Sequence, residues 1–420
     1  MKPSFLLRSG LWVIMLLCLP KAAMAVSSVV ESPVYVPLVQ ADDGKWFIEL
    51  SLGGGSSPAP FEFDTGGTGF YAAYSTNPSP SSWWGTNVTP TSTPAYNYYD
   101  SGETYTGNVV QTMVTFFGSS NNPLVGTPGN VTVGQITNIS KNGLTNWDSS
   151  SVMTTNQRPP VQGNFYGDFG LSLNLNTNYS ANPLENLIAQ MTFTNGVTPG
   201  FVVNVQSNNP YLQIGLDSSQ THLSGATYFA MNADTNAAGK SFANTGLAYH
   251  SEQIFSTTLS LSNSADSSNV VLTNIGITPD TGAGVTIHNT AANTNFPTSW
   301  VVANGTTNVT NDQGVFTRTN YDPISGSLTL AGAGTNTIFD ADSSAIQNNP
   351  PQLTTYPDFY LNAGKEIFEQ NVIIYDLQNN QIGLLPQPVP EPSAPWLLLA
   401  GVAVVLHLTF RRKSAAGLRS

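Results

Sequence analysis

The sequence predicts a mainly β protein with few short helices, and three observations support that prediction. Short segments rich in Val, Ile, Phe, Tyr and Thr alternate with clusters of Gly, Asn, Pro and Ser, as in strands joined by turns. No repeat of twenty to fifty residues is visible, which argues against a propeller or a solenoid. Apolar residues recur clearly at the spacing of a helix in one segment, whereas the others read as strands. The predicted strands include VYVPLV, KWFIELSL, VVQTMVTFF, GFVVNV, YLQIGL and NVIIYDL.

The segment with helical spacing is NPLENLIAQM. Asn182 is suited to cap a helix at its N-terminus, and Pro183 is suited to the first helical position. Apolar residues recur at the spacing of one helix face; they are Leu184, Leu187, Ile188 and Met191. We therefore expect one amphipathic helix here and few others.

The N-terminus reads as an export signal. Lys2 and Arg8 precede the apolar run LWVIMLLCLP, and the small residues AAMA follow it, so residues 1–25 are predicted to be a signal peptide. The alternative, an N-terminal membrane anchor, is disfavoured because the apolar run is short for a bilayer. Cys18, the one cysteine of the chain, lies in the part that cleavage would remove. The exported product would therefore have no disulfide and no thiolate.

The C-terminus has three consecutive parts. A proline-rich linker (387–395) precedes an apolar segment (396–410), and a basic tail (411–420) that begins with Arg411 and Arg412 follows. This order resembles the PEP-CTERM sorting signal of Gram-negative bacteria. The resemblance implies an exosortase-like sorting enzyme that cuts near Pro390-Glu391-Pro392. It also implies delivery to the cell surface or extracellular matrix, with transient or permanent anchoring in the membrane. A plain C-terminal anchor is the alternative.

The charge balance argues against nucleic acid as a partner. The formal net charge of the 420-residue chain is −12. Between the two termini the cations are few, and almost all of the acidic residues lie in the same region. Little positive charge is available there to neutralise phosphates. The cations are Lys45, Lys141, Arg158, Lys240, Arg318 and Lys365.

The tripeptide Asp-Thr-Gly occurs twice, as Asp64-Thr65-Gly66 and as Asp280-Thr281-Gly282, each after a set of predicted strands. Each glycine lets the backbone turn tightly behind the acid. If the two halves face each other, each threonine hydroxyl can bond across to the opposite loop, which would hold the two carboxylates within hydrogen-bond distance. Two carboxylates held that close cannot both ionise easily, so they share one proton. Such a pair can activate a water and protonate a carbonyl with no metal or cofactor.

Several segments, in order from Val34 to Pro386, resemble the pepsin-like aspartic proteases, which are the standard example of a shared-proton pair. KWFIELSLGGGSSPAPFEFDTG is similar to the approach to the first catalytic loop, and AGKEIFEQNVIIYDLQNNQIGLLP is similar to the final segment. The resemblance implies two β-barrel-like lobes, 26–215 and 216–386, with a cleft between them. It also implies Asp64 and Asp280 as the catalytic pair, with a polypeptide as substrate.

The resemblance further implies a flap hairpin in YYDSGETYTGNVVQTMVTF. Tyr99 is the best candidate for the flap tyrosine, and the sequence leaves Tyr98 and Tyr105 as alternatives. Tyr71 and Phe70, close after the first loop, are predicted to line the cleft, with packing in the core as the alternative.

The chain departs from the family pattern around both loops. Gly67 and Ala283 stand where a Ser or Thr usually donates a hydrogen bond to each aspartate, Pro279 precedes the second aspartate, and Glu62 lies close to the first. DFG and LNAG replace the expected hydrophobic-hydrophobic-glycine segments under the loops. Loss of the hydroxyl donors should raise the pKa values of the pair, which predicts a less acidic optimum than that of digestive pepsins.

Two functional hypotheses follow. The first is an exported aspartic endopeptidase. The second, kept open by the departures, is a catalytically inactive pepsin-like protein that binds a surface or a matrix. Both acids are retained, which favours the enzyme.

Overall fold

A computed structural model describes most of the chain between residues 27 and 386. The described ranges are 27–77, 82–99, 102–141, 143–150, 159–175, 183–251, 257–263, 268–284, 286–289, 324–330, 334–339, 345–348 and 359–386. The predicted signal peptide, the PEP motif, the C-terminal apolar segment and Asn182 lie outside these residues. Within them, no helix is both long and apolar enough to cross a membrane.

The mainly β class is confirmed, because strands make up most of the regular structure. In the first half they are β1 (Val29–Val30), β2 (Val34–Pro37), β3 (Val39–Gln40), β4 (Trp46–Leu52), β5 (Ala59–Asp64), β6 (Phe70–Ala73), β7 (Val88–Tyr98), β8 (Glu103–Thr112), β9 (Val114–Gly118), β10 (Asn122–Gly126), β11 (Val131–Lys141), β12 (Leu144–Asp148), β13 (Gly167–Gly170), β14 (Thr192–Phe193), β15 (Thr198–Asn204) and β16 (Tyr211–Leu216).

The second half continues with ten strands in the described residues. These are β17 (Thr227–Ala230), β18 (Thr257–Asn263), β19 (Ser268–Pro279), β20 (Thr286–Asn289), β21 (Ile324–Leu330), β22 (Gly334–Phe339), β23 (Ala345–Asn348), β24 (Phe359–Gly364), β25 (Asn371–Asp376) and β26 (Gln381–Pro386). Short 3₁₀ turns occur at Ser119–Asn121, Ile188–Gln190, Gln220–His222, Thr235–Ala237 and Lys365–Ile367.

Three larger sheets organise these strands. An 11-stranded sheet from the first half has the main order β10-β9-β4-β5-β13-β6-β11-β8-β7, and a 7-stranded sheet from the second half has the order β22-β21-β18-β19-β24-β20-β23. A 6-stranded sheet, β17-β26-β25-β15-β16-β2, takes strands from both halves. This division into two outer sheets and one shared sheet is consistent with the bilobal pepsin-like fold. The predicted lobe boundary at residues 215 and 216 falls at the end of β16, and it stays a prediction.

The two outer sheets repeat one local topology. In the first half β13 lies parallel to β5 and antiparallel to β6, and β6 lies parallel to β11. In the second half β24 lies parallel to β19 and antiparallel to β20, and β20 lies parallel to β23. Each Asp-Thr-Gly loop therefore joins two strands that flank a third strand from later in the chain. This repeat makes the two loops structurally equivalent.

Aromatic side chains form the core behind the first loop. On β5 the side chains of Phe61 and Phe63 are fully buried and alternate with those of Glu62 and Asp64, because successive side chains of a strand point to opposite faces. The ring of Phe169 on β13 lies 6.3 Å from that of Phe63. This apolar layer fixes one face of the strand, so the acidic residues lie on the other face.

The predicted helix after Pro183 is wrong, since this segment contains only the 3₁₀ turn Ile188–Gln190. Asn186 Oδ1 accepts hydrogen bonds from the backbone N–H of Ile188 at 2.9 Å and of Ala189 at 3.0 Å. The side chain therefore caps a turn in the middle of the segment, in competition with a continuous helix. The apolar positions are buried as expected, but Glu185 and Asn186 are buried too, so the segment is enclosed and not amphipathic.

Candidate active site

The two Asp-Thr-Gly loops begin where β5 and β19 end. Asp64 is the last residue of β5, and Asp280 directly follows β19. The backbone N–H groups of Gly66 and Gly67 donate to Asp64 Oδ1 at 2.9 and 2.8 Å, and that of Gly282 donates to Asp280 Oδ1 at 2.8 Å. Each loop therefore turns around its own carboxylate and fixes it with main-chain donors.

Two threonines tie the loops together. The N–H of Thr65 donates to Thr281 Oγ1 at 3.0 Å, and the N–H of Thr281 donates to Thr65 Oγ1 at 3.1 Å. The hydroxyl of Thr65 in turn donates to the carbonyl of Pro279 at 3.0 Å, and the hydroxyl of Thr281 donates to that of Phe63 at 2.7 Å. Both threonines are buried, so water does not compete with these four bonds.

The carboxyl groups of Asp64 and Asp280 lie close together, because each one packs against the glycine of the opposite loop. The glycines of the loops make this approach possible. A Cβ on Gly66 would lie 2.4 Å from Asp280 Cγ, and a Cβ on Gly282 would lie 2.5 Å from Asp64 Cγ. Any side chain at either position would displace the opposite aspartate. Both predicted loop glycines therefore serve the pairing of the acids as well as the turn.

Asn362 supplies a donor that Ala283 lacks. Its Nδ2 donates to Asp280 Oδ2 at 2.7 Å, and its Oδ1 accepts from the N–H of Gly364 at 2.9 Å. The segment LNAG, which departs from the family pattern, thus provides the hydrogen bond that a hydroxyl after Asp-Thr-Gly usually gives. The two departures compensate for each other in the second half of the chain.

Gly67, the corresponding position in the first half, has no room for a side chain. A Cβ there would lie 2.7 Å from Asp64 Oδ2 and 3.1 Å from Asp168 Oδ2. A serine or threonine at this position would collide with the carboxyl of Asp64 and would press against that of Asp168. Close packing around Gly67 therefore explains why no hydroxyl-bearing side chain stands here.

The segment predicted to be a flap forms a hairpin of β7 and β8. Its turn is closed by hydrogen bonds from Tyr99 N to the carbonyl of Glu103 and from Gly102 N to the carbonyl of Tyr99. Tyr99 Oη donates to Asp168 Oδ2 at 2.5 Å. The ring of Tyr105, one of the alternatives, is buried 4.9 Å from that of Tyr99. The hydroxyl of Tyr99 therefore lies beside the first Asp-Thr-Gly loop, since Asp168 Oδ2 also borders Gly67.

The prediction that Phe70 lines a cleft is wrong. Phe70 is fully buried, and its ring makes edge-to-face contacts with Phe61 at 4.9 Å and Phe169 at 5.4 Å. It follows the loop on β6 and points to the apolar face of the sheet. Tyr71 points to the opposite face, where it is buried 6.1 Å from Tyr105. Tyr71 is therefore part of the packing beneath the flap, as the alternative reading from the sequence proposed.

Several acids crowd the loops. Glu62 and Asp168 are buried, and Lys45 forms an ion pair with Glu62. Burial raises the pKa of Asp64 well above its ordinary value, and the neighbouring charges of Asp280, Asp168 and Glu62 add to that rise. Two backbone N–H groups bond Asp64, so the missing hydroxyl at Gly67 is not needed to explain this rise. Its pKa is raised by enclosure and by other acids.

Sequence reasoning missed Lys45, Asp168 and Asn362 as members of the site. The signal for two of them was present, since DFG and LNAG broke the expected hydrophobic pattern. A polar residue in a buried strand requires a partner, and the adjacent aspartates are the nearest candidates. Lys45 gave no such signal. Among the described residues, no group of three or more His, Cys, Asp or Glu side chains is arranged to hold a metal.

The chain was compared with protein-family models, with curated proteins and with solved structures. No family model matches the chain, and no curated protein matches it. Among solved structures, the chain is similar to an aspartic proteinase from Irpex lacteus, with 15% sequence identity and a TM-score of 0.48. That similarity covers 86% of this chain and 100% of the other.

Proposed function

We infer that this protein is an aspartic endopeptidase. The observation that supports the proposal is the pairing of the two loops, in which the Thr65–Thr281 bonds join the loops and each aspartate packs against the glycine of the other loop. Two equivalent loops bring these carboxyls together, and the raised pKa of Asp64 favours retention of one proton by the pair.

The chemistry is general acid–base hydrolysis. One carboxylate of the pair removes a proton from a bound water, which attacks the peptide carbonyl, while the proton held by the pair passes to the carbonyl oxygen. Collapse of the tetrahedral intermediate breaks the C–N bond and transfers a proton to the leaving amine. The proton belongs to the pair as a unit, and the bonds from the Thr65 and Thr281 loops keep the two carboxyls aligned for it.

The substrate proposed is a polypeptide in extended conformation. The flap hairpin of β7 and β8 ends at Tyr99, which lies beside the first catalytic loop. An extended peptide between a hairpin and a catalytic loop can form main-chain hydrogen bonds, while its alternate side chains enter pockets. We further propose export and surface sorting, supported by the signal-like residues 1–25 and by the PEP-CTERM-like order of 387–420.

The test is cleavage of an unfolded protein by the purified full-length chain. Cleavage is expected to be blocked by pepstatin and abolished in Asp64→Asn and in Asp280→Asn. Asp42→Asn, which changes an exposed aspartate, is the matched control and should retain activity. A folded chain that cleaves nothing but binds cells or polysaccharide would support the inactive binding protein instead.

A further inference from the structure

Asp168 is a buried carboxyl that the proposed mechanism does not use. Its side chain is 2% exposed, and it accepts a hydrogen bond from Tyr99 Oη at 2.5 Å. Its second oxygen, Oδ1, is buried and has no hydrogen-bond partner in the described part of the chain. A buried carboxylate with an unpaired oxygen is costly. This residue therefore needs an explanation beyond packing.

The strand register places Asp168 among the acids of the first loop. On β13 it lies opposite Glu62 of β5 on one side and opposite Tyr71 of β6 on the other. Asp64 lies on the same face of β5, two positions after Glu62. Asp168 Oδ2 and Asp64 Oδ2 both border the point that a Cβ of Gly67 would occupy, at 3.1 and 2.7 Å. The two carboxyls are neighbours across a glycine.

The repeated topology gives Asp168 a counterpart in the second half. Asn362 lies on β24 opposite Thr278, two residues before Asp280, as Asp168 lies opposite Glu62, two residues before Asp64. Asn362 donates directly to Asp280 at 2.7 Å. Both halves thus carry a polar side chain at the same position, each adjacent to its own catalytic aspartate. Asp168 also accepts a hydrogen bond from Tyr99 of the hairpin.

We propose that Asp168 is a positioning residue of the active site, a neutral carboxyl that holds flap residue Tyr99 against the Asp64 side of the catalytic pair. It is the first-half equivalent of Asn362. The inference rests on the proposed function, because the flap and the pair acquire their roles from it. Asp168 itself touches Tyr99 and not the reacting atoms.

The charges around Asp168 favour the neutral form. Burial raises its pKa well above the ordinary value, and Glu62 and Asp280 raise it further, while the hydrogen bond from Tyr99 and the charge of Lys45 oppose the rise. Burial and Asp168 also raise the pKa of Tyr99, so its hydroxyl remains a donor. The titratable and charged groups that face or influence this site are Lys45, Glu62, Asp64, Tyr71, Tyr99, Glu103, Tyr105 and Asp280.

The test is a double-mutant cycle with Tyr99→Phe and Asp168→Val in the full-length chain. Each single substitution breaks the same hydrogen bond and is expected to lower kcat/KM by about tenfold. The double substitution should also lower kcat/KM by about tenfold, because the Tyr99–Asp168 hydrogen bond is already absent from each single variant. A cost near a hundredfold for the double variant would overturn the proposal. The same cycle is measured on thermal stability, so it remains informative if the chain proves to have no protease activity.

Asp168→Asn provides a second measurement, which does not depend on catalysis. The amide can still accept a hydrogen bond from Tyr99, but it cannot titrate. In the wild type the folded state keeps a proton on Asp168 that the unfolded chain releases above the ordinary aspartate pKa, so the wild type loses stability as the pH rises. The Tm of Asp168→Asn minus that of the wild type should therefore be larger at pH 7 than at pH 4. An unchanged difference would overturn the proposed neutral carboxyl.

Discussion

Thr65 and Thr281 are separated by 216 positions in the chain, yet the N–H of each donates to the hydroxyl of the other, at 3.0 and 3.1 Å. Their hydroxyls then donate to the carbonyls of Pro279 and Phe63 on the opposite strands. The two halves of the molecule are therefore joined by a symmetric set of buried bonds directly below the aspartates. This junction determines the alignment of the carboxyls.

We predict that Thr65→Val lowers both stability and activity. The substitution keeps the shape of the side chain but leaves the N–H of Thr281 and the carbonyl of Pro279 without their partner. Buried groups left in this way cost about 2–3 kcal/mol in the free energy of unfolding. Denaturant unfolding measures the loss, and Thr65→Ser, which retains the hydroxyl, is the matched control. Equal stability of the Val and Ser variants would show that the bonds contribute nothing.

A side chain at Gly67 is predicted to damage catalysis more than folding. A Cβ in Gly67→Ala would lie 2.7 Å from Asp64 Oδ2, so the carboxyl must move away from the pair. We expect kcat to fall by about a hundredfold, since a misplacement of about 1 Å can cost that much. Gly129→Ala is the control, because a Cβ at Gly129 meets nothing within 4 Å. Steady-state kinetics of the two variants test the prediction, and equal kcat values would contradict it.

Truncation of Phe70 is predicted to destabilise the fold. Phe70 is fully buried against Phe61 and Phe169, so Phe70→Ala should cost about 3–5 kcal/mol in the free energy of unfolding. Leu144→Ala, which truncates a side chain that is 74% exposed, should cost little. A higher KM of Phe70→Ala at unchanged stability would contradict this prediction and would support a position of Phe70 in the cleft.

The pH dependence follows from the raised pKa of Asp64. Burial is the main cause of that rise, followed by the charges of Asp280, Asp168 and Glu62. The pair should keep its shared proton to a higher pH than in digestive pepsins, which shifts the optimum of kcat upward. A pH–rate profile on an unfolded protein substrate measures it. A maximum near about pH 2 would contradict the prediction.

The raised pKa of Asp64 also affects stability. A salt-bridged aspartate, whose pKa is lowered, stabilises the fold as the pH rises, whereas Asp64 should destabilise it. Folded Asp64 retains a proton that the unfolded chain releases, so stability is lost as the pH rises through the range above the ordinary pKa. Asp64→Asn removes that loss. Its Tm should therefore exceed that of the wild type by more at pH 7 than at pH 4.

Much of the fold could be predicted from the sequence because strand signals are local. YLQIGL corresponds to β16, and KWFIELSL contains β4. The helix prediction after Pro183 was wrong because the side chain of Asn186 caps a turn inside the segment. The same side chain donates to the carbonyl of Leu171, which lies 15 positions earlier and outside the segment. Spacing alone does not reveal such a tertiary contact.

The site could be predicted in outline only. Asp64 and Asp280 were found because a short motif occurs twice in equivalent surroundings. Asp168 and Asn362 were visible as breaks in a hydrophobic pattern, but their partners depend on which strands become neighbours. That pairing is set by the register of β13 and β24 with the strands before the loops. Local sequence does not encode this register across more than eighty residues.

The most direct test of the central claim is the effect of Asp64→Asn on pepstatin-sensitive cleavage. The full-length wild type should cleave an unfolded protein, and pepstatin should block that cleavage. Asp64→Asn should remain folded and cleave nothing, since an amide cannot share the proton of Asp280. Cleavage by Asp64→Asn at the wild-type rate would contradict the account.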